Sequence, residues 1–291
     1  LRDANAWQAP QAQAVSINAA TSAGNKIIAV GAKGGIVLSD DGGKNWHQAK
    51  QVPTGSTLTS LSFASAKAGW AAGHNGVILA TEDGGETWKR QHWDSSVDQP
   101  LFGIQFVNEK VGVAVGLWSL ILRTVDGGQS WEPVTLPTPP AGAKKDLNFF
   151  QVFGDQKQLF ISAEAGWILQ SNDAGAHWNY QNVGSKASLW TGAVSGNDVW
   201  VAGLLGKTFH SSNAGKTWQA VDAGMKASVT AIRIGNNRIE MIGLDGNVST
   251  SVDGGKNFEH SQRPDRVALT DVLIFNKGAS LYFSSLGVVA P

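Results

Sequence analysis

The sequence predicts an all-β fold, a seven-bladed β-propeller with four antiparallel strands per blade, and three observations carry that prediction. An eight-residue turn motif recurs along the chain at steps of 40 to 47 residues, and an alternating apolar segment recurs with it. The composition suits a chain of many turns: 35 Gly and 12 Trp in 291 residues, with 16% charged residues and no Cys. Average usage is about 7% Gly and about 25% charged.

The turn motif first appears as Ser39-Asp-Asp-Gly-Gly-Lys-Asn-Trp46. It returns as Thr81-Glu-Asp-Gly-Gly-Glu-Thr-Trp88, Thr124-Val-Asp-Gly-Gly-Gln-Ser-Trp131 and Ser171-Asn-Asp-Ala-Gly-Ala-His-Trp178. Two weaker copies follow, Ser211-Ser-Asn-Ala-Gly-Lys-Thr-Trp218 and Ser251-Val-Asp-Gly-Gly-Lys-Asn-Phe258. The form Ser/Thr-x-Asp-x-Gly-x-x-Trp is the Asp box of bacterial neuraminidase (BNR) repeats. Its acid can accept backbone N–H groups across the turn, its glycine supplies a positive φ, and its Trp starts the outer strand and buries a ring between sheets. Structural roles are thereby assigned to Asp41, Gly43 and Trp46; Asp83, Gly85 and Trp88; Asp126, Gly128 and Trp131; and Asp173, Gly175 and Trp178. Asn213, Gly215 and Trp218, then Asp253, Gly255 and Phe258, complete the set.

Upstream of each box a small residue is followed three positions later by glycine or serine: Gly31 to Gly34, Gly73 to Gly76, Gly116 to Ser119, Ala163 to Gly166, Gly203 to Gly206 and Gly243 to Gly246. Further upstream lie the alternating segments, beginning near Val15, Leu58, Leu101, Leu147, Leu189, Val229 and Leu269. Period-two alternation marks half-buried strands. Each unit therefore reads as an inner alternating strand, a second strand into the small-x-x-Gly turn, a third into the Asp box, and an outer strand led by Trp. Seven inner strands against six boxes predict a split last blade. Residues 267–291 supply three strands, and residues 5–10, where Trp7-Gln-Ala resembles Trp46-His-Gln-Ala, close it as one domain spanning 1–291. Closure of this kind leaves only short, protected edges.

The 23 Lys+Arg against 23 Asp+Glu argue against nucleic acid or an anionic membrane as a partner held by counterion release. No run approaches the roughly 18 apolar residues of a membrane span, so no membrane insertion is expected. Missing cysteines and a start at Leu1 without a basic or apolar leader lead to the expectation of an exported mature protein, periplasmic or otherwise extracytoplasmic. The six His show no close ligand spacing, the acid pairs do not continue into a calcium loop, and Ala214-Gly-Lys-Thr217 lacks the upstream glycine of a phosphate loop. No metal and no cofactor are expected.

The stretches Ala72-Gly-His-Asn-Gly-Val-Ile-Leu-Ala-Thr-Glu-Asp-Gly-Gly-Glu-Thr-Trp88 and Ala114-Val-Gly-Leu-Trp-Ser-Leu-Ile-Leu-Arg-Thr-Val-Asp-Gly-Gly-Gln-Ser-Trp131 resemble the photosystem II stability/assembly factor family. The resemblance spans essentially the whole chain. It implies a seven-bladed propeller acting as a non-enzymatic, exported assembly factor, and a bacterial member is expected. Photosynthetic members use an arginine-rich surface; the seven Arg here match no such motif.

The rival reading is a carbohydrate-active propeller. A sialidase would need an arginine triad and a Tyr nucleophile, but Tyr180 follows a box Trp and Tyr282 falls in a second strand. Acids outside the boxes, Asp94, Asp98, Asp146, Glu164, Asp222, Asp245 and Asp265, read as solvated loop carboxylates unless two converge. Strand order places the Asp boxes on one face and the small-x-x-Gly turns with the blade-to-blade connections on the other. Function is expected on the second face, with Lys33, His74, Trp93, Trp118, Glu164 and Asp245 as candidates for contact with a protein partner. The propeller itself is expected to be monomeric.

Overall fold

Each Asp box folds through local hydrogen bonds. In the computed structural model, which describes residues 4–94, 99–275 and 279–289, the Ser39 hydroxyl donates to Asp41 Oδ1 (2.9 Å) and accepts the Gly43 N–H (2.8 Å). Asp41 Oδ1 also accepts the N–H groups of Lys44 (3.0 Å) and Asn45 (2.9 Å), while Oδ2 takes the Asn45 amide at 2.6 Å. These donors favour the anion, above all the Asn45 N–H and amide, and Asp41 titrates at about 2 instead of 3.8. The Ser130 hydroxyl and N–H hold Asp126 at about 2 in the same way. In the fifth box Asn213 keeps the acceptor half, with Oδ1 receiving the Ser211 hydroxyl and the Thr217 N–H, both at 2.9 Å. Its Nδ2 donates to Thr217 Oγ1 (2.8 Å), reversing the bond in which Thr87 Oγ1 donates to Asp83 Oδ2 (2.6 Å).

The box glycine is also where neighbouring blades meet. Gly43 has φ 90° and Gly175 φ 81°, and a Cβ at either would strike the preceding blade, against Leu281 Cδ2 and Val113 Cγ2. Box aromatics wedge the same seams. Trp88 and Trp178 are 1% and 2% exposed, whereas Trp46, Trp131, Trp218 and Phe258 are only half-buried at the rim. Trp46 packs edge-on to Phe283 of the seventh blade, centroids 6.0 Å apart.

Six sheets have four sequential antiparallel strands, and the seventh has three among the described residues. The inner strands are Ile17–Ala23, Leu58–Phe63, Leu101–Phe106, Phe149–Gly154, Leu189–Ser195, Val229–Gly235 and Leu269–Ile274, taken as blades 1 to 7. The first and fourth begin two residues later than the sequence suggested. Val15 closes a 3-10 turn by its N–H to Ala12, and Leu147 bonds through both backbone groups to Ser119 of the blade 3 turn. Hydrophobic clusters fill the seams. Ile28, Val30, Ile36 and Leu38 of blade 1 meet Leu58, Ala71 and Leu79 of blade 2, while Ile17, Ile27 and Val37 meet Leu281 and Phe283 of blade 7.

Closure differs from the expectation in one respect: residues 5–10 do not run as a strand. The segment is drawn onto blade 1 instead. Ala6 N–H bonds Val52 O (3.0 Å), Trp7 N–H bonds Lys33 O (3.1 Å), and Gln48 brackets it by accepting Ala9 N–H and donating to Trp7 O. Trp7 is 48% exposed, with the Lys33 ammonium 4.9 Å over its ring, so it is not an inter-blade wedge. The physical reason is competition for its backbone: Lys33, Gln48 and Val52 of the blade 1 region take the groups that strand pairing would need. In blade 1 the outer strand pairs with Val37 and Leu38; by strand register the equivalents in blade 7 are Val289 and position 290, the second of which lies outside the described residues. The N-terminal segment meets blade 7 as the 3-10 turn Ala12–Ala14, whose Gln13 carbonyl oxygen lies where a Cβ on Gly287 would sit.

Trp88→Ala should lower the unfolding free energy by about 3–5 kcal/mol, and Trp7→Ala far less, as measured by denaturant titration. The folded pKa of Asp41 lies below its unfolded value, so the box contribution is complete above about pH 4 and lost as pH falls through about 2. Asp126→Asn should be tolerated because the Ser130 hydroxyl can reverse, as Thr217 does. Asp41→Asn keeps its bond to the Asn45 side chain only if that amide turns over to present its oxygen. Thermal melts should show the larger drop in Tm for Asp41→Asn at neutral pH and reduced acid sensitivity for Asp126→Asn.

Candidate functional site

Seven inner strands surround a central channel of about 570 Å³, and each presents a strand edge to it. Such an edge carries backbone groups without a sheet partner. The sequence answers with a β-bulge at the start of every inner strand, which turns the second residue toward the next blade. At four blades that residue clasps the neighbour by donating to the carbonyl of its first inner-strand residue. Asn18 reaches Leu58 O (2.8 Å), Thr59 Leu101 O (2.6 Å), Thr230 Leu269 O (2.7 Å) and Thr270 Ile17 O (2.8 Å).

A second set of side chains accepts from the neighbour's inner-strand N–H. Ser60 takes Ile104 N–H (3.1 Å), Gln151 Gly192 N–H (2.8 Å), Thr191 Ile232 N–H (3.2 Å) and Asp271 Ala20 N–H (2.9 Å). Asp271 is 2% exposed and bonded to Arg233 at 2.6 Å. Burial pushes its carboxyl up, against the Arg233 charge and the N–H groups of Ala20 and Val272, which pull it down.

Blades 3, 4 and 5 break the clasp. Their bulge residues are Phe102, Phe150 and Trp190, half-buried and lining the channel where the connections arrive. Phe102 and Phe150 stack with centroids 6.5 Å apart, and His74 stands edge-on to Phe102 at 6.4 Å. The blade 3 to 4 seam closes by backbone approach instead: a Cβ on Gly103 would lie 2.7 Å from Val152 N.

Around this mouth five of the small-x-x-Gly turns form single 3-10 turns whose residue before the glycine is left-handed, and Trp118 holds the same conformation in the blade 3 turn. Asn75 and Asp245 suit that conformation, but Trp118 (φ 56°) and Leu205 (φ 55°) are bulky side chains that it strains. Both are exposed, Trp118 at 53% and Leu205 at 71%. Of the eight large hydrophobics exposed among the described residues, six lie on this face: Trp7, Trp118, Leu204, Leu205, Leu244 and Leu286. Val125 and Val252 lie on the box face.

The sequence profile of the photosynthesis system II assembly factor YCF48 matches residues 47–148 and 145–289. The chain belongs to the YCF48 family. The BNR/Asp-box repeat profile matches residues 37–48, and no curated protein matches in sequence. A structure titled YCF48 bound to D1 peptide is 16% identical, with TM-score 0.76 over 98% of this chain and 97% of that one. YCF48 from Cyanidioschyzon merolae is 15% identical, with TM-score 0.74 over 97% and 96%. The WD40 propeller domain of Doa1 shares the fold at 12% identity and TM-score 0.73, covering 98% of this chain and 94% of that one.

Within this YCF48-family propeller the six candidate residues are dispersed around the face. Lys33 is occupied by Trp7, and Trp93 is half-buried with the Arg90 guanidinium 4.7 Å over its ring. Asp245 accepts Gln262 Nε2 (2.7 Å) and lies 3.7 Å from Arg266. His74, Trp118 and Glu164 flank the aromatic mouth on successive blades. Asn148 ties two of them, accepting Trp118 N–H (3.3 Å) and donating to Glu164 Oε1 (2.7 Å). Sequence reasoning missed Phe102, Phe150 and Trp190. Aligning the seven inner strands at their second residue shows three aromatics in a column otherwise Asn or Thr. Asp98 lies outside the described residues.

Thr at position 102 would restore the missing donor toward Phe149 O. Phe102→Thr should therefore be more stable than Phe102→Ala by about 1 kcal/mol in denaturant titration, although both remove the ring.

Proposed function

We propose that this YCF48-family propeller is a non-catalytic, exported and monomeric scaffold that binds another protein, as an assembly or stability factor for a membrane or envelope complex. One observation carries the reading: strained and exposed apolar side chains gather on the face opposite the Asp boxes, around an aromatic channel mouth. Six of the eight large hydrophobics exposed among the described residues share that face, and exposed aromatic and aliphatic side chains are what a protein partner uses as anchors. A structural relative holding a D1 peptide supports polypeptide recognition by this architecture. Asp271 is the one carboxylate among the described residues lining the channel, and Arg233 and backbone N–H groups already engage it. Two-carboxylate glycoside chemistry, which needs a facing pair about 5–9.5 Å apart, gains no support there. Export is supported by the cysteine-free composition.

Affinity capture from the native envelope tests the reading. Trp118→Ala should abolish recovery of the partner that the wild-type chain retains, while Val252→Ala on the box face should leave it unchanged. Loss with Val252→Ala and retention with Trp118→Ala would place binding on the wrong face.

A further inference from the structure

Resting on that reading, we propose that the blade 1 edge of this face is a clamp for the extended main chain of a partner polypeptide, filled in cis by residues 6–9. The N-terminal segment is a strap that the partner displaces.

The occupant shows what the clamp recognises. Residues 4–9 run without helix, turn or bend, and main-chain hydrogen bonds hold them. Ala6 N–H goes to Val52 O and Trp7 N–H to Lys33 O. Gln48 accepts Ala9 N–H on Oε1 (2.6 Å) and donates from Nε2 to Trp7 O (3.1 Å). One amide side chain therefore engages a carbonyl and the N–H two residues on, groups that any extended backbone offers. Side chains add little. A Cβ on Gly34 would lie 3.1 Å from Ala6 Cβ, so a small residue meets the floor there. Trp7 stays 48% exposed, with only the Lys33 ammonium against its ring.

Sister blades use the same groups internally. The carbonyl of the left-handed turn residue is taken in blades 2, 4 and 6 by the blade's own outer strand or the connection after it. Asn75 O receives Asp94 N–H, Ala165 O receives Asn182 Nδ2 (3.0 Å) and Asp245 O receives Gln262 Nε2 (3.0 Å). In blade 1 that carbonyl, Lys33 O, receives the N-terminal segment instead. The place of Gln48, two residues after the box aromatic, holds Arg90, Pro133, Tyr180, Ala220 and His260 in the other boxes, none of them an amide.

This bond set makes the strap exchangeable. Segments with few buried apolar contacts open at the low end of the stability range, and a second extended chain can replace each main-chain bond that the strap gives up. Tethering holds the strap at an effective concentration of about millimolar. A free segment competes poorly against that, whereas a segment of a partner already anchored on the same face competes on equal terms.

The test uses the full chain and a terminally blocked, fluorescein-labelled heptapeptide with the sequence of residues 4–10. In fluorescence anisotropy it should bind Trp7→Pro, which lacks the strap's ring and one N–H donor, at least tenfold more tightly than wild type. Ala9→Pro should act alike by removing the donor to Gln48. Adding Gln48→Ala to Trp7→Pro should abolish the gain, and Val252→Ala should change nothing. Thermal melts should leave the Tm of Trp7→Pro close to wild type; a steep fall would make the segment a structural closure and overturn the strap. Equal binding by wild type and Trp7→Pro, a gain that survives Gln48→Ala, or no binding to any variant would also overturn it. So would a wild-type dimer in sedimentation velocity that Gln48→Ala dissolves, because the segment would then serve a second copy. If the peptide fails while Trp118→Ala still abolishes capture of the native partner, the clamp is wrong and the protein-binding reading stands.

Discussion

The ring depends on how the inner strand edges are satisfied. A propeller lines its channel with strands that have no hydrogen-bonding neighbour on the inner side, and buried peptide groups must find partners. Here the bulge at four of the seven inner strands aims one side chain at the next blade's carbonyl, and the residue after the bulge position often accepts the next blade's N–H. The clasp from Thr270 to Ile17 O and the bond from Ala20 N–H to Asp271 join the last blade to the first. Ring closure therefore uses the chemistry of the other seams, with Leu281 and Phe283 packed on blade 1 behind it.

The same constraint makes departures informative. Replacing an Asn or Thr donor with Phe or Trp at three consecutive blades removes a bond worth about 1 kcal/mol at each seam. Left-handed Trp118 and Leu205 add strain in the same sector of the ring. Local losses of stability grouped in one sector are the usual mark of a binding surface. The box face shows the opposite character, with carboxylates, glycines and aromatics absorbed into turns and seams.

The fold was legible because its determinants are local and repeated. The Asp box states its hydrogen bonds in the sequence: an acid two residues after a hydroxyl, a glycine two further on, and an aromatic three beyond. Even the Asn213 substitution keeps the geometry by reversing one donor. Closure was less legible because Trp7-Gln-Ala carries an outer-strand pattern, whereas Lys33, Gln48 and Val52 compete for its backbone. The candidate site was half legible. Trp118 and Glu164 could be placed from turn position. Phe102, Phe150 and Trp190 looked like ordinary strand aromatics, since only the bulge decides that the second residue faces the channel. No periodicity rule reports a bulge.

Hydrogen–deuterium exchange on the complex with the native partner tests the central claim, that the interrupted clasp marks the binding surface. Protection should appear in peptides covering 101–104, 116–120, 147–151, 188–192 and 203–207, with the Asp-box turns near 41–46 and 252–257 unchanged. Protection confined to the box turns, or centred on the blade 6, 7 and 1 seams where the clasp is intact, would contradict it.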